Sequence, residues 1–173
     1  MKKLWVIPLI ALVLAGCGRE KTLETITDTP NIPVVSAVQR IQVYLPAELS
    51  TPVLQDETAG TLYLCDDYAL TVQTVSGGNL EKTIHNATGK HIADLQILQT
   101  QQGNAKCYQW MWTTNGEKGI QVGRGCVLDD GAYHYVLIAQ ADESSTKKVQ
   151  PVWKEIFASF SLASEREEIS TGS

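Results

Sequence analysis

The residues best able to do chemistry are cysteines. The chain has four, Cys17, Cys65, Cys107 and Cys126, together with three histidines. Cys107 and Cys126 lie on two β-prone stretches separated by Asn115-Gly116, a strong hairpin signal. If Gly116-Glu117 are the central pair of that turn, Cys107 faces Cys126 directly, with Cα atoms ~5.5 Å apart in a hydrogen-bonded pair. That spacing suits a disulfide. If Asn115-Gly116 are central, Cys107 faces Arg124 and the two cysteines are staggered by two. A bulge at Gly123 or Gly125 would shift the register again. The alternative is three separate buried cysteines acting as small hydrophobes. No CxxC and no histidine at ligand spacing supports a metal site. His85 and His91 are six apart, which is not a same-face pair, and His134 reads as an ordinary strand histidine. Asp66-Asp67 and Asp129-Asp130 read as turn residues. No GxSxG elbow or phosphate loop is present, so no catalytic residue, metal or cofactor is expected. Tyr108, Trp110 and Trp112 alternate and project from one strand face. They are either core beneath a helix or a candidate interaction surface, since Tyr and Trp are enriched at interfaces.

Cys17 belongs to a different kind of segment. Lys2 and Lys3 precede an uncharged apolar run from Leu4 to Ala15, too short for a spanning helix of ~20 residues. A basic start and a short apolar core mark a secretory signal. It closes on Leu14-Ala15-Gly16-Cys17, which resembles the lipobox of bacterial lipoproteins. That resemblance implies removal of residues 1–16 and lipid modification (diacylglycerol, palmitate) of the Cys17 thiolate. It places the chain in the cell envelope, lipid-anchored and extracytoplasmic. With Gly18 next, the anchor is expected in the outer membrane if the envelope has two membranes. Residues 17–37, rich in Thr, Glu, Asp and Pro, read as a lipidated N-terminus and flexible tether. The net charge of −5 gives no sign of a nucleic-acid partner. It leaves the acyl chains, not the protein body, to hold the membrane.

The body, residues 38–162, must position everything else. Strands are expected at Ile41–Leu45, Thr61–Cys65, Tyr68–Val75, Ala93–Thr100, Lys106–Thr113, Gly119–Leu128 and Tyr133–Ala141. Asn79 as N-cap and Gly89 as C′ residue bound a short first helix. Val149, Val152, Trp153, Ile156, Phe157 and Phe160 share one face of an amphipathic helix, with Pro151 in its first turn. Residues 163–173 read as a disordered tail. The result is an α+β domain, an antiparallel sheet of about seven strands with a short first helix and an amphipathic C-terminal helix packed on it.

This element order, with the early stretch Val43-Tyr44-Leu45-Pro46-Ala47 and the closing Val152-Trp153-Lys154-Glu155-Ile156-Phe157-Ala158-Ser159-Phe160, resembles the PsbP-like fold of DcrB-type lipoproteins. The resemblance covers Val38 to Leu162. It implies a non-enzymatic module of the cell envelope that contacts another envelope protein, and it brings no catalytic motif. A small-ligand-binding accessory lipoprotein using Tyr108, Trp110 and Trp112 is the alternative.

Overall fold

The computed structural model describes residues 37–163 except 50, 57–59 and 118. The signal, Cys17, most of the tether and nearly all of the tail lie outside the described residues. Nine strands are present among those described: β1 (Ile41–Gln42), β2 (Leu54–Asp56), β3 (Gly60–Leu64), β4 (Ala69–Ser76), β5 (Leu98–Gln102), β6 (Ala105–Gly116), β7 (Gly119–Asp129), β8 (Tyr133–Asp142) and β9 (Ser161–Leu162). Two α-helices accompany them, α1 (Leu80–Thr88) and α2 (Thr146–Ser159). Seven strands form one antiparallel sheet in the order β2-β3-β4-β8-β7-β6-β5, and β1 pairs β9 in a small ribbon. The α+β class is as expected.

The chain crosses from β4 through α1 to the far edge, then meanders back from β5 to β8, which pairs β4. Each strand alternates its side chains between two faces, and each face is covered by a helix. Cys107, Cys126, Leu128, Tyr135 and Leu137 pack with Val149, Trp153, Ile156 and Phe157 of α2. Trp110, Trp112, Val127, Val136 and Ile138 pack with Ile84 of α1.

α1 carries the expected caps. Asn79 Oδ1 accepts from the Lys82 N–H, and Gly89 takes a left-handed φ of 69° while its N–H bonds His85 O. α2 starts five residues before Pro151, so this proline lies inside the helix rather than in its first turn. Three other elements differ from expectation. The Ile41–Leu45 strand shrinks to two residues, because only the short β9 is there to pair it. Ala93–Thr100 is a strand only from Leu98 on. Before that, Ile92–Asp94 form a single 3-10 turn, and Leu95 and Ile97 pack against the α1-side core without a strand partner among the described residues. β2 was not expected, since Leu54-Gln55-Asp56 is too short to show a period.

Candidate functional site

The β6–β7 hairpin carries most residues singled out from sequence. Its register differs from both readings of the turn. Gly116 still pairs Gly119, so the reversal falls between these two residues, one residue later than the Gly116-Glu117 reading. Gly119, at φ 129°, supplies the backbone freedom just after it. Cys107 therefore faces Leu128, and Cys126 faces Gln109. The two cysteines sit on one face as diagonal neighbours. Both are buried free thiols, with Sγ atoms 3.6 Å apart. A polar fringe borders them: Gln109 Nε2 approaches Cys107 Sγ at 3.6 Å and Arg124 Nη2 donates to Gln109 Oε1 at 3.3 Å. The Arg124 guanidinium lies 4.5 Å from the Phe157 ring centroid, so α2 closes over this group. Hydrogen bonding from Cys126 holds the Cys107 thiol down to about 6, against the raising effect of burial. The thiol of Cys126, donating to its neighbour and buried, is pushed up.

The aromatic row is core. Trp110 and Trp112 are 3% and 6% exposed, which removes them as an interaction surface; Tyr108 is half-buried beside them. The bulge once open at Gly123 and Gly125 is absent, and the pairing runs unbroken through both. Those glycines do something else. The indole of Trp110 lies over Gly125 and that of Trp112 over Gly123, where a Cβ would sit closer than any real carbon contact. Exposed apolar side chains lie on the other face of these strands, and also at the opposite edge of the sheet, at Val53, Leu54 and Leu64. Leu98, Met111 and Ile120 are 62%, 52% and 44% exposed. By register they share the α2 side of β5, β6 and β7, toward the hairpin tip that α2 does not reach. The alternation that marked the aromatics also marks Met111, but alternation alone does not say which face a helix covers.

His134 is not an ordinary strand histidine. It is 2% exposed, its Nδ1 lies 2.7 Å from Thr83 Oγ1 on α1, and its Nε2 lies 3.8 Å from Asp129 Oδ1. Hydroxyl, imidazole and carboxylate thus meet, yet a polar groove lined by Gln73, Asn79, Lys82 and Thr83 stops short of the imidazole. The trio ties α1 to the sheet. Burial lowers the His134 pKa, with Asp129 and Asp130 pulling against it. A histidine with a depressed folded pKa is bound neutral. It contributes stability that is fully present above its unfolded value of about 6.5 and is lost as pH falls below it. Stability should therefore decline from about pH 6.5 downward with a slope of up to about 1.4 kcal/mol per pH unit. His134→Gln should flatten that segment in urea titrations at stepped pH; an unchanged slope would assign it to another group.

Asp130 organises the following turn. Burial would raise its carboxyl, but the N–H groups of Tyr133 and Ala132, the Tyr135 hydroxyl and the Gln39 amide hold it below the ordinary range. Asp66-Asp67 form the β3–β4 turn, and Asp67 pairs with Lys148 of α2. The His85 and His91 rings, separated in sequence, stack 4.9 Å apart across the Gly89 cap. Among the described residues, no three His, Cys, Asp or Glu side chains gather to hold a metal.

No family model and no curated protein matches the chain. Among solved structures, the crystal structure of LpqN, involved in cell envelope biogenesis of Mycobacterium tuberculosis, aligns with a TM-score of 0.51 at 11% identity. The alignment covers 75% of this chain and 86% of LpqN. The solution structure of cyanobacterial PsbP (CyanoP) from Synechocystis sp. PCC 6803 aligns with a TM-score of 0.48 at 10% identity, covering 74% of this chain and 95% of that one. The likeness to LpqN shows a shared α+β fold.

Proposed function

We propose that this chain is a membrane-anchored, extracytoplasmic lipoprotein of PsbP-like type, whose body is a non-catalytic module that contacts another envelope protein. The observation that carries the reading is the pairing of two features. One is the Lys2-Lys3, Leu4–Ala15, Leu14-Ala15-Gly16-Cys17 leader. The other is a body folded like LpqN, a protein involved in cell envelope biogenesis. The tether gives the body reach from the membrane, and an acidic body does not itself bind anionic lipid. The contact face is the part of the sheet that carries Leu98, Met111 and Ile120, apolar side chains left exposed among the described residues. Contact with a protein fits better than a small ligand on the aromatic strand, because Trp110 and Trp112 are packed against Ile84, Val127 and Val136.

One experiment tests both halves. The chain is expressed with a photo-crosslinking residue at Met111, with and without Cys17→Ser. The Cys17 form should fractionate with membranes, incorporate labelled palmitate and yield one dominant protein adduct. Cys17→Ser should move to the soluble fraction, lose the label and lose the adduct. Palmitate labelling that survives Cys17→Ser overturns the anchor. Absence of an adduct from membrane-bound chain overturns the contact face.

A further inference from the structure

Cys107 and Cys126 are placed as a reactive pair rather than as two fillers of a core. Neither faces the other in the ladder, since their direct partners are Leu128 and Gln109. Their sulfurs nevertheless lie 3.6 Å apart, so both side chains turn along the diagonal toward each other. The Gln109 amide approaches the Cys107 sulfur, and Arg124 holds that amide from its oxygen end. An apolar core has no need of an amide and a guanidinium at this position, whereas the amide can donate to a Cys107 thiolate and the nearby positive charge favours a Cys126 thiolate. Cys65 makes the contrast. It is half-buried at the β3–β4 turn, and its sulfur bonds the local Tyr68 carbonyl.

We propose that Cys107 and Cys126 form a built oxidation site, a dithiol that closes to a disulfide across the β6–β7 hairpin at the expense of a small-molecule or protein disulfide, leaving Cys65 free. The Cys107 thiolate attacks one sulfur of the oxidant disulfide; that S–S bond breaks and one thiolate leaves. The Cys126 thiolate then attacks Cys107 Sγ, the mixed disulfide breaks, and a second thiolate leaves. Two protein thiols are oxidised, one external disulfide is reduced to two thiols, and the two protons pass to the leaving groups. Cys107 suits the first role because the Gln109 amide, from its own strand, lies 3.6 Å from its sulfur. Diagonal positions, about 7–8 Å apart, lie just beyond the span a disulfide ordinarily accepts, so bridging requires β6 and β7 to draw together locally. Both sulfurs are buried under α2, at 3% and 2% exposure. Oxidation therefore belongs to the stage at which the hairpin, a local element, has formed and α2 has not yet docked over it. The site depends on the thiol geometry and not on where the chain resides, so it stands or falls apart from the membrane anchor.

The test uses the purified full chain, unfolded and refolded in buffers spanning reduced to oxidised glutathione. It is then denatured, alkylated, digested and mapped by mass. Expected is a crosslinked peptide pair joining Cys107 to Cys126, lighter than the sum of the free peptides by about 2 Da. Cys65 should carry the alkyl group at every ratio short of mixed glutathione adducts. The oxidised chain should melt roughly 5–15 °C above the reduced one. Cys65→Ser should keep that difference, and Cys107→Ser should abolish it. Alkylation of Cys65, Cys107 and Cys126 together at the most oxidising ratio, or a crosslink through Cys65 or Cys17, would overturn the proposal. If Cys107→Ser does not fold, the peptide map of the unaltered chain decides alone.

Discussion

Gly125→Ala should destabilise the domain by about 3–5 kcal/mol, and Gly125→Val should leave no folded protein to purify. Alanine is ordinarily welcome in a strand where glycine stood, because glycine costs about 0.5–1 kcal/mol in backbone entropy. Here the sign reverses. Gly125 lies opposite Trp110 in the β6–β7 ladder, and the indole spreads over its bare Cα. A methyl group there meets the ring, and the ring has nowhere to withdraw, since Ile84, Val127, Val136 and Ile138 close around it. Either the strands part or Trp110 leaves the core, and each route costs more than a small overpacking that can relax. The control is a double-mutant cycle. In a Trp110→Ala background the ring is gone, and Gly125→Ala should be near neutral or stabilising. The coupling between the two sites should exceed about 2 kcal/mol, well beyond what separated sites show. Additive effects in urea unfolding would mean that Gly125 is present for some reason other than the indole. Gly123 and Trp112 repeat the arrangement one step nearer the turn, and the same cycle there serves as an internal replicate.

The two glycines illustrate what a sequence conceals. Gly123-Arg124-Gly125 reads as a possible bulge because glycine inside a strand weakens it, and nothing local says that a tryptophan from the next strand needs the space. That information is in the register, and the register turned on where a two-residue reversal falls among Asn115, Gly116, Glu117, Lys118 and Gly119. A shift of that kind moves every cross-strand partner, so the cysteines became diagonal instead of opposite. Elements with strong local signals were legible. The Asn79 and Gly89 caps, the spacing from Val149 to Phe160, and the alternation of the three long strands all led to the observed α1, α2, β6, β7 and β8. Elements formed by tertiary contact were not. β1 and β9 are two residues each and exist only because the ends of the body meet, as the Ala163 N–H bond to Arg40 O shows. His134 falls in the same group. Its partners Thr83 and Asp129 come from a helix on the sheet and from the neighbouring strand. No sequence period brings position 83 to position 134. The aromatic row was ambiguous for a related reason: alternation fixes that Tyr108, Trp110 and Trp112 share a face, but the crossing of α1 decides that the face is covered.

The closing helix leads to the second large effect, and it separates two contributions of one residue. Trp153 is 1% exposed and the largest fully buried side chain among the described residues. It anchors α2, meeting Tyr68 edge-to-face at 6.4 Å between centroids. Trp153→Ala should cost about 3–5 kcal/mol, a large share of the 5–15 kcal/mol that holds a domain together. Loss of this anchor should loosen the cover over the Cys107–Cys126 face, so both thiols should alkylate faster in the native state. Yet the indole N–H finds no acceptor among the described residues. An unpaired buried donor costs about 1–3 kcal/mol, so part of what the ring contributes by packing is offset by its own polar edge. Trp153→Phe keeps a ring on the helix face and removes that donor. It should cost less than about 1.5 kcal/mol, and thiol alkylation should stay slow. The contrast between the two variants is the informative quantity. If Phe costs as much as Ala in thermal and urea unfolding, the indole nitrogen has a partner, such as a buried water shared with Tyr68, and the anchor is a polar one. If Phe is tolerated, α2 is held by the apolar face read from the spacing of Val149, Trp153, Ile156 and Phe157.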